Sequence, residues 1–306
     1  MTHLTAGDVN PLGYKTETNY GVPVGNSWAY YADLKGDNGS FTPTDNPNAY
    51  VAWRSGSRAF ALADYVPTNH EAGYTNVLEV ADASGWENII KNAIGGATSA
   101  GLPRLPSRTT GFRVTNENAW PNILEYVGCK TDRLEVKADQ PGGIVEFDET
   151  VLASYCSPAS GTLQLPVVAD PAVQWVGGVT LNDNAIYPQN FRLSINNNLG
   201  RVKGPLTTID DVDIAATVAL TEGRLDMEFS MDLWMEDLHY ITLGGPGFSG
   251  TLPSTIEFTL GTAAPLNIEL EASLMADGQH HSIVQDKQME TTRWRVHEIT
   301  VSAPSS

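Results

Sequence analysis

The residues that ordinarily carry chemistry are present in this chain, but not at the spacings chemistry needs. A serine raised on a strand-to-helix turn requires Gly-x-Ser-x-Gly. Gly247-Phe248-Ser249-Gly250 brings the second glycine one residue too early, so Ser249 reads as a loop serine. The histidines His3, His70, His239, His280, His281 and His297 show no zinc-ligand spacing, and Cys129 and Cys156 lack a Cys-x-x-Cys partner. The two thiols are able in principle to pair, and the plainer reading is two part-buried free thiols. His280-His281 in a Gly-Gln context would suit a transition metal or a solvated loop. The clusters Asp210, Asp211, Asp213 and Asp37, Asp45 have the oxygen chemistry for calcium but not the spacing of an EF-hand loop. Glycoside hydrolysis needs two carboxylates at a defined separation, and nothing selects one pair among so many. Asn38-Gly39-Ser40 fits the glycosylation sequon, a common triplet. The expectation is no catalytic residue, no metal and no cofactor.

The charge balance narrows the partners. Thirty-six acidic against eighteen basic residues give a formal charge of -18, and seven of the basic residues are lysine. Such a surface repels nucleic acid phosphates and argues against a protein that grips DNA by its backbone. It also suits solubility in concentrated salt, which points to a halophilic host. A hydrophobic content of 41% supports a real core in 306 residues. Met1 to Asp8 has no basic region or apolar run, and no segment approaches the roughly 20 apolar residues that span a bilayer. A protein made and folded in a cytoplasm, with no membrane partner, is expected.

The elements that would position any functional face are strands. Phe191, Leu193, Ile195, then Ile214, Ala216, Val218, Leu220, then Leu225, Met227, Phe229, Met231, Leu233 place apolar side chains at every second position. That is the period of a pleated strand with one buried face. Thr221-Glu222-Gly223 suits a hairpin turn between the last two, giving a long hairpin over 212–233. Its outward positions are Asp226, Glu228, Ser230 and Asp232, an acidic face with almost no compensation. This face reads either as a solvated sheet surface or as the lining of a channel.

Residues 1–50 are rich in Gly, Asn, Pro and Tyr and read as looping, apart from a strand near 27–32. Further strands are expected at 49–53, 58–65, 75–80, 111–115, 124–128, 163–168, 173–181, 255–260, 266–272 and 292–301. A hairpin over 134–147 turns at Pro141-Gly142-Gly143, and a loop is expected at 277–281. One helix stands out: Ser84 and Glu87 make a capping box, Trp86, Ile89, Ile90, Ala93 and Ile94 a helical stripe, and Gly95-Gly96 a stop. Trp86, Gly95-Gly96 and Leu102-Pro103 recur as Trp234, Gly244-Gly245 and Leu252-Pro253 at offsets of 148 to 150, and Leu78 and Val80 map onto Met227 and Phe229 at 149. The repeat predicts a second helix after Trp234 and two tightly associated halves, 1–160 with an N-terminal arm and 161–306.

Taken in order, Tyr20-Gly21, the helix ending Ala93-Ile94-Gly95, Tyr126-Val127-Gly128-Cys129 running into Leu134-Glu135-Val136, and Phe191-Arg192-Leu193-Ser194-Ile195-Asn196-Asn197-Asn198-Leu199 before the long hairpin resemble the tail tube proteins, or major tail proteins, of long-tailed viruses. The resemblance covers about 14–272. It implies a mainly β sandwich or barrel of the tail-tube type, with one or two short helices and long hairpins that join between subunits as an inner barrel. It implies no enzyme activity but a homo-oligomeric virion structural protein, whose stacked rings form the hollow tube for DNA ejection. The barrel's apolar face would be Ile214, Val218, Leu220, Leu225, Met227, Phe229 and Met231, and Asp226, Glu228 and Asp232 would be lumen-lining candidates that repel passing DNA. Partners would be further copies, the tape-measure protein and viral DNA in the lumen, and tail tip and terminator proteins. The protein would reside in the virion tail and, during assembly, in the host cytoplasm. A duplicated unit favours a trimer with pseudo-sixfold symmetry over a hexamer. The N-terminal region and the 36–47 loop would be arms reaching the next ring. The rival readings are a tail terminator, a capsid decoration protein, a sugar-binding β-sandwich and a glycosidase.

Overall fold

The computed structural model describes residues 11–34, 41–51, 65–79, 83–100, 104–113, 123–163, 174–205, 207–209, 212–214, 217–234, 254–261, 265–284 and 287–302. Within them the protein is strands and one helix. The first half runs β1 (Pro11–Thr16), β2 (Ser27–Leu34), β3 (Phe41–Val51), β4 (Tyr65–Glu79), α1 (Ala83–Ile94), β5 (Arg108–Arg113), β6 (Ile123–Ala138), β7 (Glu146–Ala153) and β8 (Tyr155–Ala159). After the two-residue β9 (Thr162–Leu163) come β10 (Trp175–Leu181), β11 (Asn184–Ile186), β12 (Asn190–Asn196), β13 (Gly200–Lys203), β14 (Thr207–Ile209), β15 (Val212–Ile214), β16 (Thr217–Thr221), β17 (Asp226–Trp234), β18 (Ser254–Leu260), β19 (Leu266–Val284) and β20 (Lys287–Ser302).

Hydrogen bonding links the first-half strands in the order β2-β1-β5-β6-β7-β4-β3, all antiparallel. The end of β2 also pairs with the end of β4, which closes β1, β2, β4, β7, β6 and β5 into a six-stranded barrel. In the second half the order is β11-β10-β18-β19-β20-β17-β12, again all antiparallel. Among the described residues the halves join chiefly where β12 pairs with the C-terminal part of β6, Leu193 opposite Val136, and also through a short parallel pairing of β9 and β2.

The largest core cluster spans both halves, and two smaller ones lie chiefly among the first-half strands. Alternation along β7, β12, β17 and β18 buries every second residue, and the inward apolar side chains of β12, β17 and β18, with Phe147 of β7, join Trp86, Ile89, Ile90, Ala93 and Ile94 of α1. Phe191 of β12 and Phe229 of β17 lie 5.0 and 5.6 Å, ring to ring, from Phe258 of β18, although two strands separate β18 from β17 in hydrogen-bonding order. The second-half sheet must therefore curl over until its ends face each other, as in a sandwich. Helix α1 ends at Gly95, whose φ of 86° lets its amide close onto Lys91.

Several expectations are corrected. Residues 41–47 lie in β3 rather than in a loop: Pro43 and Pro47 break the sequence signal, yet β3 is the end strand of its sheet, where proline is tolerated. His280 and His281 lie in β19, not in a loop. The stretches 124–128 and 134–138 are a single strand, β6. The 212–233 segment is not one hairpin. β16 pairs with β13, while β17 sits between β12 and β20. The hairpin over β6 and β7, turning at 139–145, is as expected. The second helix after Trp234, the 58–64 strand, Ser249, the Asn38-Gly39-Ser40 sequon, Asp37, Asp210, Asp211 and the first ten residues of the N-terminal arm lie outside the described residues.

Candidate assembly surface

The segments that carried the resemblance meet at two places, and each has a physical reason. Gly128 in β6 has φ 70°, and a Cβ there would stand 2.8 Å from the Ser154 Cβ and 3.1 Å from the Tyr20 ring, so only glycine fits. Its amide donates to Glu17 Oε1 at 2.7 Å, and Glu17 also accepts from Thr109 Oγ1 at 2.8 Å and from the Gly21 amide at 2.9 Å. Tyr20-Gly21 and Tyr126-Val127-Gly128-Cys129 are thus held together by one buried carboxylate. At the second place, Asn197 Nδ2 donates to the Ala93 carbonyl at the end of α1 and to the Thr131 carbonyl of β6, both at 2.9 Å. Asn198, with φ 49°, turns the chain out of β12 and donates to the Arg224 carbonyl at 2.8 Å. The Asn-Asn-Asn run is the joint between helix, sheet and the 199–225 excursion.

That excursion explains why the expected hairpin fails. Arg201 of β13 donates to the Ala153 carbonyl at 2.7 Å and the Ala72 carbonyl at 2.6 Å, and Glu222 meets Lys130 Nζ at 2.6 Å. Burial pulls the Arg201 pKa down, against the raising effect of Glu71. These contacts pin β13 and β16 onto the first-half barrel. Of the expected apolar face, Met227, Phe229 and Met231 are in the core, with Leu225 packed against it. Leu220 is buried in the excursion, whereas Val218 is 50% exposed. The β15 strand that holds Ile214 pairs with β14, and its side chain lies outside the described residues.

The face opposite the core is polar over β7, β6, β12, β17 and β20, and the reading of it as uncompensated is overturned. Asp226 contacts Arg295, and Glu228 lies 3.3 Å from Arg293 and 3.4 Å from Arg295. Asp232 accepts from Asn190 Nδ2 at 2.7 Å and from Thr291 Oγ1 at 2.5 Å. Further along, Glu135 meets Arg192 at 2.5 Å, and Lys137 meets Asp148 at 2.7 Å. Sequence order hid this because alternation reveals which way Arg293 and Arg295 point but not that β20 lies beside β17. These pairs are solvent-screened and worth about 0.2–1 kcal/mol each. Acid without compensation lies instead on β18 and β19. Glu257 stands opposite Glu269, both exposed like Glu271, and none of the three forms an ion pair among the described residues. Glu257 and Glu269 line a shallow depression of about 590 Å³ together with Tyr187, Thr259 and Asn267.

Inside the first-half barrel sits a charge pair that sequence reasoning missed. Arg108 of β5 and Glu149 of β7 meet at 2.6 Å, 2% and 0% exposed. Glu149 Oε1 also accepts from Thr131 Oγ1 at 2.7 Å and from the Tyr31 hydroxyl at 3.1 Å. Burial works against the guanidinium charge, but Glu149 and the neighbouring Tyr31 and Tyr74 outweigh it and hold its pKa high. The signal was available: Glu149 occupies an inward position between Phe147 and Val151.

Cys129 and Cys156 are free thiols. Among the described residues no group of histidines, cysteines and carboxylates converges as a metal site, and no helix is long and apolar enough to cross a membrane. No curated protein matches the chain. A family model described as "Phage tail tube protein" matches residues 7–292. The chain therefore belongs to the phage tail tube protein family, structural proteins of the virion tail.

Proposed function

We propose that the protein assembles into stacked rings forming the hollow tail tube through which viral DNA passes. The supporting observation is the division of one sheet. Over their described side chains β12, β17, β18, the first part of β19 and most of β20 bury one face in the protein's own core, and together with the adjoining parts of β6 and β7 they present the other as a polar, charged surface. Such a face lines an aqueous channel at no hydrophobic cost, and its net negative charge keeps DNA phosphates from adhering. On this reading Asp226, Glu228 and Asp232 face the lumen, the first two neutralised by Arg295 and Arg293 and Asp232 held by the uncharged Asn190 and Thr291. The repulsion comes mainly from Glu257, Glu269 and Glu271.

The shared strand order supports an internal duplication with its boundary near residue 160. Moving both partners of the pair Leu78 and Phe147 by 149 residues gives Met227 and Val296, the step next to Glu228 and Arg295 in the β17–β20 ladder. Three such chains would make a ring of six similar units. The tape-measure protein and DNA would occupy the lumen in turn, and tip and terminator proteins would cover the two ends. Negative-stain microscopy of the purified protein across salt concentrations tests the reading. Hollow tubes with a regular axial repeat and threefold or pseudo-sixfold end views are expected. Persistent monomers that bind or cleave a glycan would overturn it.

A further inference from the structure

The interior of the first-half barrel is layered. Along β4 the inward residues run Tyr74, Asn76, Leu78, and along β7 they run Phe147, Glu149, Val151. Register sets Leu78 opposite Phe147, Asn76 opposite Glu149 and Tyr74 opposite Val151. Leu78 and Phe147 belong to the large core cluster, whereas Tyr74 and Val151 belong to a separate one with Tyr126 and Cys129. What parts the two clusters is a polar layer, in which Arg108 of β5 and Thr131 of β6 join Asn76 and Glu149.

The contacts within this layer satisfy only part of it. Glu149 Oε1 takes Arg108 Nη2, Thr131 and Tyr31, and Arg108 Nη1 donates to Thr131 Oγ1 at 3.0 Å. Asn76 Nδ2, Asn76 Oδ1, Glu149 Oε2 and Arg108 Nε are sealed from solvent and meet no hydrogen-bond partner in the protein. Two of these four atoms are donors and two are acceptors. Asn76 and Glu149 are direct cross-strand neighbours, which sets their Cβ atoms about 4.5–5.5 Å apart. Buried polar atoms in native interiors nearly always have a partner, and ordered water supplies it where side chains do not. The chemistry of the partner follows from the charges. Arg108 and Glu149 cancel, so an anion here would face the carboxylate and a cation the guanidinium. A small neutral molecule that both donates and accepts fits.

We propose that the polar layer of this barrel is an internal hydration site, in which about two ordered waters join Asn76 to Glu149 and Arg108. One accepts from Asn76 Nδ2 and donates to Glu149 Oε2. The other accepts from Arg108 Nε and donates to Asn76 Oδ1. A bond between them brings each water to about three hydrogen bonds, the usual number for buried water. The site favours one register of β4 against β7. A slip of two residues keeps every side chain on its own face, yet it would set Tyr74 or Leu78 opposite Glu149 and remove the amide that holds the waters. The assignment is independent of the ring reading, since the layer lies wholly within one chain.

The test is a density map of the full chain, in tubes or crystals, at a resolution that shows ordered water, with oxygen-17 relaxation dispersion of the solvent as a second readout. Peaks about 2.7–3.2 Å from Asn76 Nδ2 and from Glu149 Oε2 are expected. In solution the wild-type chain should hold about two more long-lived internal waters than Asn76→Leu, whose larger apolar side chain fills the space and offers no polar atom. An Asn76 amide bonded directly to Glu149 with no peak beside it would overturn the assignment. So would a peak ringed by oxygens at about 2.3–2.6 Å, the spacing of a bound calcium ion, or an unchanged count of long-lived waters in the variant. Should Asn76→Leu fail to fold, the map of the wild-type chain decides alone.

Discussion

Replacing Arg108 by methionine removes the charge that compensates Glu149 while keeping most of the volume. The Glu149 carboxylate is wholly buried, its Oε1 would keep only the Tyr31 and Thr131 hydroxyls, and its Oε2 meets no donor among the described residues. A carboxylate stranded in this way costs about 3–5 kcal/mol. Removing both charges, as Arg108→Met with Glu149→Leu, takes away the stranded ion and leaves the two hydroxyls without their acceptor, about 1–3 kcal/mol each. The double variant should therefore be less destabilised than the sum of the singles, with a coupling of about 2 kcal/mol or more. Denaturant unfolding of the unassembled chain measures it, as a shift in midpoint at constant slope. A single Arg108→Met loss under about 1 kcal/mol, or strictly additive singles, would refute the view that this pair organises the barrel interior.

The other predictions follow from burial, close approach and surface charge. Burial pushes the Cys129 thiol up to about 12 from an ordinary 9.0, so a thiol reagent should label Cys156 quickly and Cys129 only on unfolding; equal rates would contradict the buried site. Because the folded pKa is the higher one, this group's contribution is present below pH 9.0 and is lost as pH rises toward about 12. Buried Tyr31 and Tyr74, also shifted upward, act in the same direction, so alkaline unfolding should coincide with the rise of tyrosinate absorbance. Gly128→Ala forces a Cβ to within 2.8 Å of the Ser154 Cβ at φ 70°, and should cost about 1–3 kcal/mol in thermal or denaturant stability. Glu257→Lys, Glu269→Lys and Glu271→Lys together should leave tube assembly intact and slow DNA delivery by otherwise normal particles, with the defect relieved by salt. Unchanged delivery would place those residues away from the lumen.

How far the sequence was legible depended on what each element had to do. β12 and β17 have a buried and a solvated face along their whole length, so their period of two was plain. β3 and the far part of β19 were illegible for a shared reason. An edge strand tolerates proline and need not alternate, so Phe41–Val51 and the polar run through His280 and His281 read as loops. Helix α1 announced itself through its stripe and its Gly95 stop because both signals are local.

Partnership between strands is a different kind of information. The alternation of β16 and β17 is the same whether they pair with each other or with β13 and β20, because register fixes faces and leaves neighbours open. The neighbours were chosen by contacts distant in sequence. Arg201 reaching the Ala153 and Ala72 carbonyls, and Glu222 reaching Lys130, hold β13 and β16 on the first-half barrel and free the flank of β17 for β20. That choice carries Arg293 and Arg295 to Glu228 and Asp226 and changes the electrostatics of the whole face. Two of the three acids in a stripe read from one strand, Asp226 and Glu228, are neutralised once its neighbour is known. The charge available to repel a polyanion then lies mainly two and three strands away, on β19 and β18, where no arginine was placed opposite the glutamates.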